Sequence, residues 1–288
     1  MSSGTKPKHL SKPTTRMREI SSFSIGTLFA VAISCCLLLF LSFVSSQTFE
    51  IDTVVGHRFY DGDGGFASHV SVNTPANVVL HPITGDLFIA DTLNHIIRRI
   101  DRVSGVITTV AGTVRAQGYA GDGELATRSM LSSPTSVAFS LDGQSMYIAD
   151  SENNRVRMVK DGIITTVAGN ENEGYDRDGV LATNTSLKTP LDVTIVPTTG
   201  ELLIADSYNH RIRKVDQNGI ISTIAGTGDE ESNLGDNGPA TNASLKSPVG
   251  IVVNSIGETF VADSGNFRVR KISTAGVITT IAGTGVMG

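Results

Sequence analysis

Three types of polar residue recur at a fixed spacing in four places along the chain. Each place has an aspartate, an asparagine three residues later and an arginine seven residues after the aspartate. The four sets are Asp91, Asn94 and Arg98; Asp150, Asn153 and Arg157; Asp206, Asn209 and Arg213; and Asp263, Asn266 and Arg270. Such residues suit two kinds of chemistry. The arginine can form an ion pair with the carboxylate, or the oxygen-rich turn can bind a cation such as Ca²⁺.

The arginines favour the ion pair over the bound cation. Every copy places a positive side chain close to the carboxylate, and a metal ion would compete with that built-in partner. Asp and Asn at the end of a strand also accept backbone N–H bonds and thereby shape the turn. We therefore interpret the four sets as a structural repeat motif. We assign no catalytic or metal-binding residue to the chain and predict no cofactor.

The motif is part of a longer repeat. An Ala-Gly pair closes each copy, and the four glycines, Gly112, Gly169, Gly226 and Gly283, follow one another at intervals of 57 residues. Each unit contains four short runs rich in β-branched and aromatic residues, separated by turn-forming residues. In the second unit these runs are 136–139, 146–149, 156–159 and 163–167. Four strands at a fixed period predict propeller blades, which bury their faces by stacking on one another.

The units resemble the NHL repeat. The resemblance covers Ile51 to Gly285 and rests on a Pro-x-x-Val segment, a Gly turn and the pattern (Ile/Val)-Ala-Asp-(Ser/Thr)-x-Asn-x-Arg-(Ile/Val)-Arg. The prolines are Pro75, Pro134, Pro190 and Pro248. The first unit departs from the pattern, because Ile96 replaces the first arginine. The long unit is similar to the propeller of teneurins. The resemblance implies an all-β fold, a β-propeller of four-stranded antiparallel blades, to which the sequence adds one N-terminal hydrophobic helix.

The number of blades is open. NHL propellers usually close with six blades, whereas this chain supplies four units and one extra strand at 51–56 that matches the last strand of a unit. Either four blades close a ring, or the four repeats are part of a larger ring. We favour the larger ring, because an unclosed propeller exposes strand edges and an apolar blade face.

An insert with its own pattern lies between the last strand of one unit and the first strand of the next. The pattern reads Asp-(Gly/Asn)-x-x-Ala-(Ser/Thr) and begins 12 residues before the proline, at Asp63, Asp122, Asp178 and Asp236. The aspartate and glycine predict a tight turn, and the alanine is small enough to pack on the blade. The segment 61–64, Asp-Gly-Asp-Gly, resembles a calcium loop but lacks the remaining ligand spacing and the bidentate glutamate of an EF-hand.

Two inserts carry acceptor sequences for N-glycosylation. These are Asn184-Thr185-Ser186 and Asn242-Ala243-Ser244. They fall at the same position of the repeat, and equivalent positions of neighbouring blades lie on the same face of a propeller. We therefore predict glycans at Asn184 and Asn242, on one face around the last two blades.

The N-terminal part indicates where the propeller resides. Residues 1–22 form a basic leader, and 23–44 is an uncharged and mostly apolar segment long enough to cross a membrane of about 30 Å as a helix. Two interpretations stay open: a signal anchor with a cytosolic leader, or a signal peptide over 23–46 that is cleaved. Both place the propeller, 47–288, outside the cytosol, either on a single-pass membrane protein or in a secreted one.

The amino-acid composition and the positions of the histidines limit the classes of function that the chain can have. Outside the leader the chain is acidic, which excludes phosphate-backbone binding and hence nucleic acid as a partner. Only His95 and His210 share a repeat position, and we expect both to be exposed in turns. We predict a non-catalytic interaction scaffold outside the cytosol that binds a protein or glycan through its blade loops. The alternative is a propeller enzyme, similar to the lyases or lactonases related to this family, with a metal held in the central channel.

Overall fold

The computed structural model of the chain describes residues 62–229 and 234–287. These residues form 18 β-strands and short 3₁₀ turns, with no α-helix among them. The strands build four antiparallel sheets, one for each 57-residue unit, so the predicted all-β propeller fold is confirmed. The leader 1–22, the hydrophobic segment 23–46 and the extra strand 51–56 lie outside the described residues.

Each sheet is a blade with four main strands, which lie side by side in the order in which they occur along the chain. Blade 1 comprises β1 (Pro75–Leu80), β2 (Leu87–Asp91), β3 (Ile96–Ile100) and β4 (Ile107–Ala111). Blade 2 comprises β5 (Pro134–Phe139), β6 (Ser145–Asp150), β7 (Arg155–Lys160) and β8 (Ile163–Ala168). Blade 3 comprises β10 (Pro190–Ile195), β11 (Leu202–Asp206), β12 (Arg211–Val215) and β13 (Ile220–Ala225). Blade 4 comprises β15 (Pro248–Val253), β16 (Thr259–Asp263), β17 (Arg268–Ile272) and β18 (Val277–Ala282).

The inserts add to the outer edge of the blade that follows them. The short strands β9 (Val180–Leu181) and β14 (Gly238–Pro239) pair with β13 and β18, respectively. In the first two blades a single bridge takes this place, Phe66 with Val106 and Leu125 with Ile163. Each insert is therefore joined by hydrogen bonds to its own blade.

Short 3₁₀ turns stand at two recurring positions. One set follows the second strand of each blade directly after the motif aspartate: Thr92–Asn94, Ser151–Asn153, Ser207–Asn209 and Ser264–Asn266. The other set lies in the inserts: Ala67–His69, Ala126–Arg128, Ala182–Asn184 and Ala240–Asn242. No helix within 62–229 and 234–287 is long and apolar enough to span a membrane.

The core lies between neighbouring blades. Large aliphatic side chains on one face of a blade pack against small side chains on the preceding blade, as Ile148 of blade 2 does in the cluster that contains Ala90 and Ala111 of blade 1. The same arrangement joins blades 2 and 3 and blades 3 and 4. Burial on both faces explains why the middle strand β11 is buried along its whole length, as expected of a strand with an uninterrupted apolar run.

The four described blades form an open arc. The first strands of successive blades, β1, β5, β10 and β15, pack side by side at the inner edge of the arc. Among the described residues, β15 and β1 make no contact of comparable extent with each other. The four blades therefore do not close into a ring.

Candidate functional site

The motif arginines form the centre of each blade. Arg98, Arg157, Arg213 and Arg270 have 0% of their surface exposed. In blade 2, Nη1 of Arg157 lies 3.3 Å from Oδ2 of Asp150. The corresponding distances are 3.2 Å in blades 3 and 4 and 3.6 Å in blade 1. The structure thus brings the motif aspartate and arginine of every blade together.

Each arginine also contacts a second carboxylate, from the insert. Nη2 of Arg157 lies 2.5 Å from Oδ1 of Asp122, and Nη2 of Arg213 lies 2.7 Å from Oδ1 of Asp178. Asp63 and Asp236 have the same role in blades 1 and 4, at 3.0 Å and 2.9 Å. The insert pattern predicts these aspartates only as turn residues, and the ion pairs were not predicted, although four recurring aspartates beside four arginines were a signal for them.

The motif asparagine and a backbone amide complete the cluster. In blade 2, Asn153 Nδ2 donates to Asp150 Oδ2 at 2.8 Å, and the N–H of Ser132 donates to Asp150 Oδ1 at 2.7 Å. Asn153 also donates to the carbonyl of Gly118 in the insert at 2.7 Å. The motif therefore fastens the turn, the start of the first strand and the insert to one another.

Burial and pairing act differently on the two carboxylates. Burial raises the pKa of Asp150 and of Asp206 to about 6, although the nearby arginines oppose this shift. Burial also acts on Asp122, but the hydrogen bond from Thr166 and the charge of Arg157 outweigh it and lower the pKa of that carboxyl. In blade 2, burial therefore disfavours the charged form of Asp150, whereas pairing favours the charged form of Asp122.

No metal-binding group is found in the described part of the chain. Within it, no three His, Cys, Asp or Glu side chains are placed to hold one ion. In the calcium-like segment 61–64, Asp63 is engaged with Arg98 and accepts hydrogen bonds from the N–H and hydroxyl of Thr109. Asp61 lies outside the described residues.

The expectation that both repeat histidines are exposed is wrong. His95 is half-buried, and His210 is buried, with 8% of its surface exposed, because the following blade covers it. Nδ1 of His210 accepts the N–H of Ser247 in blade 4 at 3.0 Å. His95 accepts the N–H of Ser133 in the same way, and Asn154 accepts that of Thr189. The position therefore supplies a hydrogen-bond acceptor to the next blade.

Comparison with known families agrees with this architecture. A model of the NHL repeat matches residues 187–215, and a model of the teneurin NHL domain matches residues 226–287. The chain belongs to the NHL-repeat family. The matched stretches contain the motif residues of blades 3 and 4, so the cluster described above is that of an NHL repeat.

Several curated NHL relatives are much longer than this chain. Suppressor of Quenching 1, chloroplastic, of Arabidopsis thaliana is 33% identical over 239 residues, which are 78% of this chain and 22% of the relative. Teneurin-1 of Mus musculus is 31% identical over 259 residues, which cover 79% and 9% of the two chains. NHL repeat-containing protein 2 of Bos taurus is 26% identical over 294 residues, covering 72% and 40%. The chain thus spans between 9% and 40% of the length of these relatives.

Solved structures share the fold of these NHL blades. A chain from the crystal structure of a nidogen/laminin complex is 17% identical and superposes with a TM-score of 0.52, covering 75% of this chain and 67% of that one. A putative gluconolactonase is 11% identical, with a TM-score of 0.50 and coverage of 77% and 65%. At these identities the likeness concerns the fold alone.

A second row of NHL arginines lies closer to the surface. Arg155, Arg211 and Arg268 stand two residues before the buried arginines and are half-buried. Ile96 occupies this place in blade 1 and is fully buried. The guanidinium of Arg155 covers the ring of Tyr119 at 3.9 Å from its centroid, and Arg211 covers Tyr175 in the same way. Both tyrosines belong to inserts, so this row joins the blade to its insert.

The hydrogen bonds of Arg155 differ from those of its equivalents. Arg211 donates to the carbonyls of Asn209 and Thr227, and Arg268 donates to those of Asn266 and Thr284. For Arg155 one hydrogen bond is present, from Nη1 to the carbonyl of Asn153 at 3.0 Å. Among the described residues its Nη2 has no hydrogen-bond acceptor.

An open cavity of about 680 Å³ adjoins this unused donor. The residues that line it belong to blade 2 and to the inserts of blades 2 and 3: Tyr119, Asp122, Arg155, Thr166, Gly169, Asn170, Glu171, Asn172, Thr183 and Asn184. Hydroxyl, amide and guanidinium groups dominate this lining. The cavity is suited to a polar ligand with a hydrogen-bond acceptor directed at Arg155.

Asp192, a carboxylate on the inner strands, was not predicted as a notable residue from the sequence. Asp192 on β10 accepts the hydroxyl of Ser136 in blade 2 at 2.5 Å and the N–H of Ile251 in blade 4 at 2.6 Å. It therefore connects three blades. Burial raises its pKa to about 6, against these hydrogen bonds. The equivalent residues, Asn77, Ser136 and Gly250, differ in type, so the repeat pattern gave no signal for it.

Both predicted glycosylation sites lie on inserts. Asn184 and Asn242 are exposed at the ends of two 3₁₀ turns, at equivalent places in blades 3 and 4. Asn184 also lines the cavity beside Arg155. A glycan on Asn184 therefore remains a prediction with a direct bearing on access to that cavity.

Proposed function

We propose that the chain is a non-catalytic interaction scaffold that binds a protein or glycan partner through the inserts of blades 2 and 3. The observation that carries this proposal is the cavity beside Arg155, where a guanidinium donor lacks an internal acceptor that its equivalents have. Arginine and tyrosine are the residue types that contribute most to binding energy at protein interfaces. The cavity therefore has the chemistry of a recognition site.

The buried clusters support a structural role for the rest of the motif. We propose that the twelve motif residues stabilise the blades and make no contact with a partner, since the arginines are fully buried and paired with two carboxylates. A framework held in this way is rigid, and rigid frameworks present binding loops in defined positions.

The location outside the cytosol is part of the proposal. It rests on the hydrophobic segment 23–44, which attaches the protein to a membrane if it is uncleaved, and on the acceptor sites at Asn184 and Asn242. Teneurin-1, a relative in sequence, belongs to a group of membrane proteins, which suits this location. The plant relative carries the word chloroplastic in its name, so the relatives differ in compartment and the chain's own features carry the argument.

Within the blades that the structure describes, no inner strand favours the alternative, an enzyme with a channel metal. Such a centre needs several imidazoles or carboxylates that converge from different blades. At the equivalent inner positions the described blades carry Asn77, Ser136, Asp192 and Gly250. Both oxygens of Asp192 accept hydrogen bonds from neighbouring blades. We expect metal analysis of the purified protein to find no stoichiometric ion.

Binding through the cavity is tested with two arginine variants. The full chain is displayed on cells or in micelles and probed with a glycan array and with cross-linking followed by mass spectrometry. We expect Arg155→Ala to lose the partners that the natural sequence retains, and Arg211→Ala, whose guanidinium is occupied by internal carbonyls, to keep them. Equal binding by both variants and the natural sequence would refute a site at Arg155.

The glycosylation premise has its own test. Treatment with an N-glycosidase is expected to increase the electrophoretic mobility of the protein in two steps, one for each glycan. Asn184→Gln and Asn242→Gln are each expected to abolish one of these steps. Unchanged mobility would remove the argument for glycans and weaken the assignment outside the cytosol, without affecting the cavity itself.

A further inference from the structure

The cavity beside Arg155 is lined by charged groups of both signs. Arg155 contributes a guanidinium whose Nη2 has no acceptor among the described residues. Glu171 contributes an exposed carboxylate that forms no ion pair within the part of the chain that the structure describes. Asp122 contributes a second carboxylate, which is paired with Arg157. The lining therefore offers one unpaired positive group and one unpaired negative group.

The rest of the lining is polar and uncharged. Three hydroxyls and three amides belong to it, from Tyr119, Thr166, Thr183, Asn170, Asn172 and Asn184. Among the described residues that line the cavity, none is Val, Leu, Ile, Met or Phe. The face of the Tyr119 ring nearest to Arg155 is covered by the guanidinium. Cavities for drug-like ligands are mostly apolar, so this lining indicates a strongly hydrophilic ligand.

The equivalent cavity between blades 1 and 2 lacks both unpaired charges. Its volume is about 300 Å³, and it is lined by Asp63, Thr109, Gly112, Thr113, Val114 and Thr127. Val114 stands in the place of Glu171, and Ile96 in the place of Arg155. Between blades 3 and 4 the corresponding residues are Gly228 and Arg211, and the Nη2 of Arg211 is bonded to the carbonyl of Thr227. Among the described junctions, the pair of opposite unpaired charges is particular to blades 2 and 3.

The charge of a ligand decides how well it fits this pair. A carboxylate or sulfate directed at Arg155 is repelled by Glu171, and a cation directed at Glu171 is repelled by Arg155. A hydroxyl group both accepts and donates hydrogen bonds. A neutral ligand with several hydroxyls can therefore accept from Arg155 and donate to Glu171 at the same time.

We propose that the recognition site of the proposed function, on which this inference rests, binds a neutral saccharide. A protein segment suits the cavity less well, because the lining offers no apolar pocket for the anchor residues typical of protein interfaces. The saccharide can come from two sources. One is the glycan of another molecule, and the other is the chain's own predicted glycan at Asn184, which lines the cavity.

The test measures the binding of free trisaccharides to the full chain in detergent micelles by ligand-observed NMR. The probes are trisaccharides of glucose, mannose, galactose and N-acetylglucosamine, and those of glucuronic and galacturonic acid. The protein is first produced in a bacterial host without N-glycosylation, so that Asn184 carries no glycan. We expect at least one neutral trisaccharide to bind, and the uronic acid trisaccharides to bind about tenfold more weakly because of Glu171.

Two variants and a matched control assign the binding to the cavity. Arg155→Ala is expected to weaken the neutral trisaccharide about tenfold, since it removes a charged hydrogen-bond donor. Glu171→Gln is expected to strengthen the uronic acid trisaccharides about tenfold and thereby to abolish the discrimination. Glu124→Gln changes an exposed carboxylate of the same insert as Tyr119 that does not line the cavity, and is expected to change neither. Thermal unfolding checks that each variant is folded.

Three results would overturn the proposal. Tighter binding of uronic acid than of neutral trisaccharides by the natural sequence would do so, and would leave the cavity as a recognition site for an anion. Binding of none of the trisaccharides would do so as well, and loss of a cross-linked protein partner by Arg155→Ala would then still support the proposed function. Neutral binding that Arg155→Ala leaves unchanged would place the sugar elsewhere on the protein.

A second preparation, from a eukaryotic host that attaches N-glycans, distinguishes the two sources of the saccharide. Trisaccharide binding that is lost in this preparation would identify the glycan of Asn184 as the occupant of the cavity. Equal binding in both preparations would indicate a saccharide from another molecule. Asn242→Gln removes the predicted glycan of blade 4, which is not attached to the cavity lining, and is expected not to change the result.

Discussion

Two rows of arginines run through the propeller, two residues apart on the same strands, and their surroundings differ. The inner row, present in all four blades, is fully buried between a blade carboxylate and an insert carboxylate. The outer row is absent from blade 1 and is held by carbonyls and, in blades 2 and 3, by tyrosine rings. We therefore propose that the uniform position stabilises the scaffold and that the variable position, at Arg155, is available for recognition.

Removing one arginine from each row tests this difference most directly. Arg157→Met preserves much of the side-chain volume but leaves Asp150 as a buried carboxylate without a positive partner, so we expect a loss of about 3–5 kcal/mol in the free energy of unfolding. Arg155→Met, two residues earlier on β7, is expected to cost less than about 0.5 kcal/mol, since the group it removes is half-exposed.

Chemical denaturation of both variants measures these differences. Similar losses for the two would contradict the division into a structural and a free row. A small loss for both would indicate that the blade tolerates Asp150 without the charge of Arg157.

The insert carboxylate provides an intermediate case. Asp122→Ala removes one of the two partners of Arg157 and the acceptor for the N–H of Thr166, while Asp150 still balances the charge. We expect a loss of about 1–2 kcal/mol in the free energy of unfolding. Asp142→Ala, in the exposed turn between β5 and β6, is the matched control and is expected to change stability by less than about 0.5 kcal/mol. A loss as large as that of Arg157→Met would mean that the insert holds the blade together.

Asp192 is a buried carboxylate without an arginine partner, and its titration provides a further test. Burial raises the pKa of Asp192 to about 6, so the folded state binds a proton that the unfolded state, with an ordinary pKa near 3.8, releases. The stabilising contribution of this group is complete below the unfolded pKa and is lost as the pH rises through about 6. Relative to Asp192→Asn, the natural protein is expected to gain about 1 kcal/mol of stability when the pH falls from 7 to 5.

Denaturation of the two proteins at both pH values measures this gain. The other buried aspartates titrate in both proteins and cancel in the difference. A difference that does not change with pH would show that Asp192 has an ordinary pKa in the folded protein.

The sequence was sufficient to predict the features that recur in every unit. It was not sufficient for contacts between residues far apart in the chain or for residues present in one unit alone. The 57-residue period and the β-branched runs were sufficient for the blades, and the strands of blade 2 extend one or two residues beyond the predicted runs. The pairing of Asp150 with Arg157 was expected because seven residues across a hairpin bring them close. Asp122 was missed because it lies 35 residues from Arg157, a distance at which sequence spacing carries no geometric information.

Asp192 and His210 were missed for different reasons. Asp192 has no counterpart of its own type in the other blades, so a pattern based on repetition overlooks it. His210 follows an asparagine in a turn, which normally indicates exposure, but the neighbouring blade covers this turn. Contacts between blades are a tertiary property, and the sequence of one unit does not contain them.

The bond between each insert and the arginine of the following blade also defines where the chain can be divided. A segment that starts at the first proline of a blade lacks the insert that precedes it. The buried arginine of that blade then loses one of its two carboxylate partners. A segment that starts just after an Ala-Gly pair keeps both carboxylates and the added edge strand. The self-contained module is therefore 113–169 rather than 134–190, and gene duplication, circular permutation or grafting of a blade is expected to succeed in that phase.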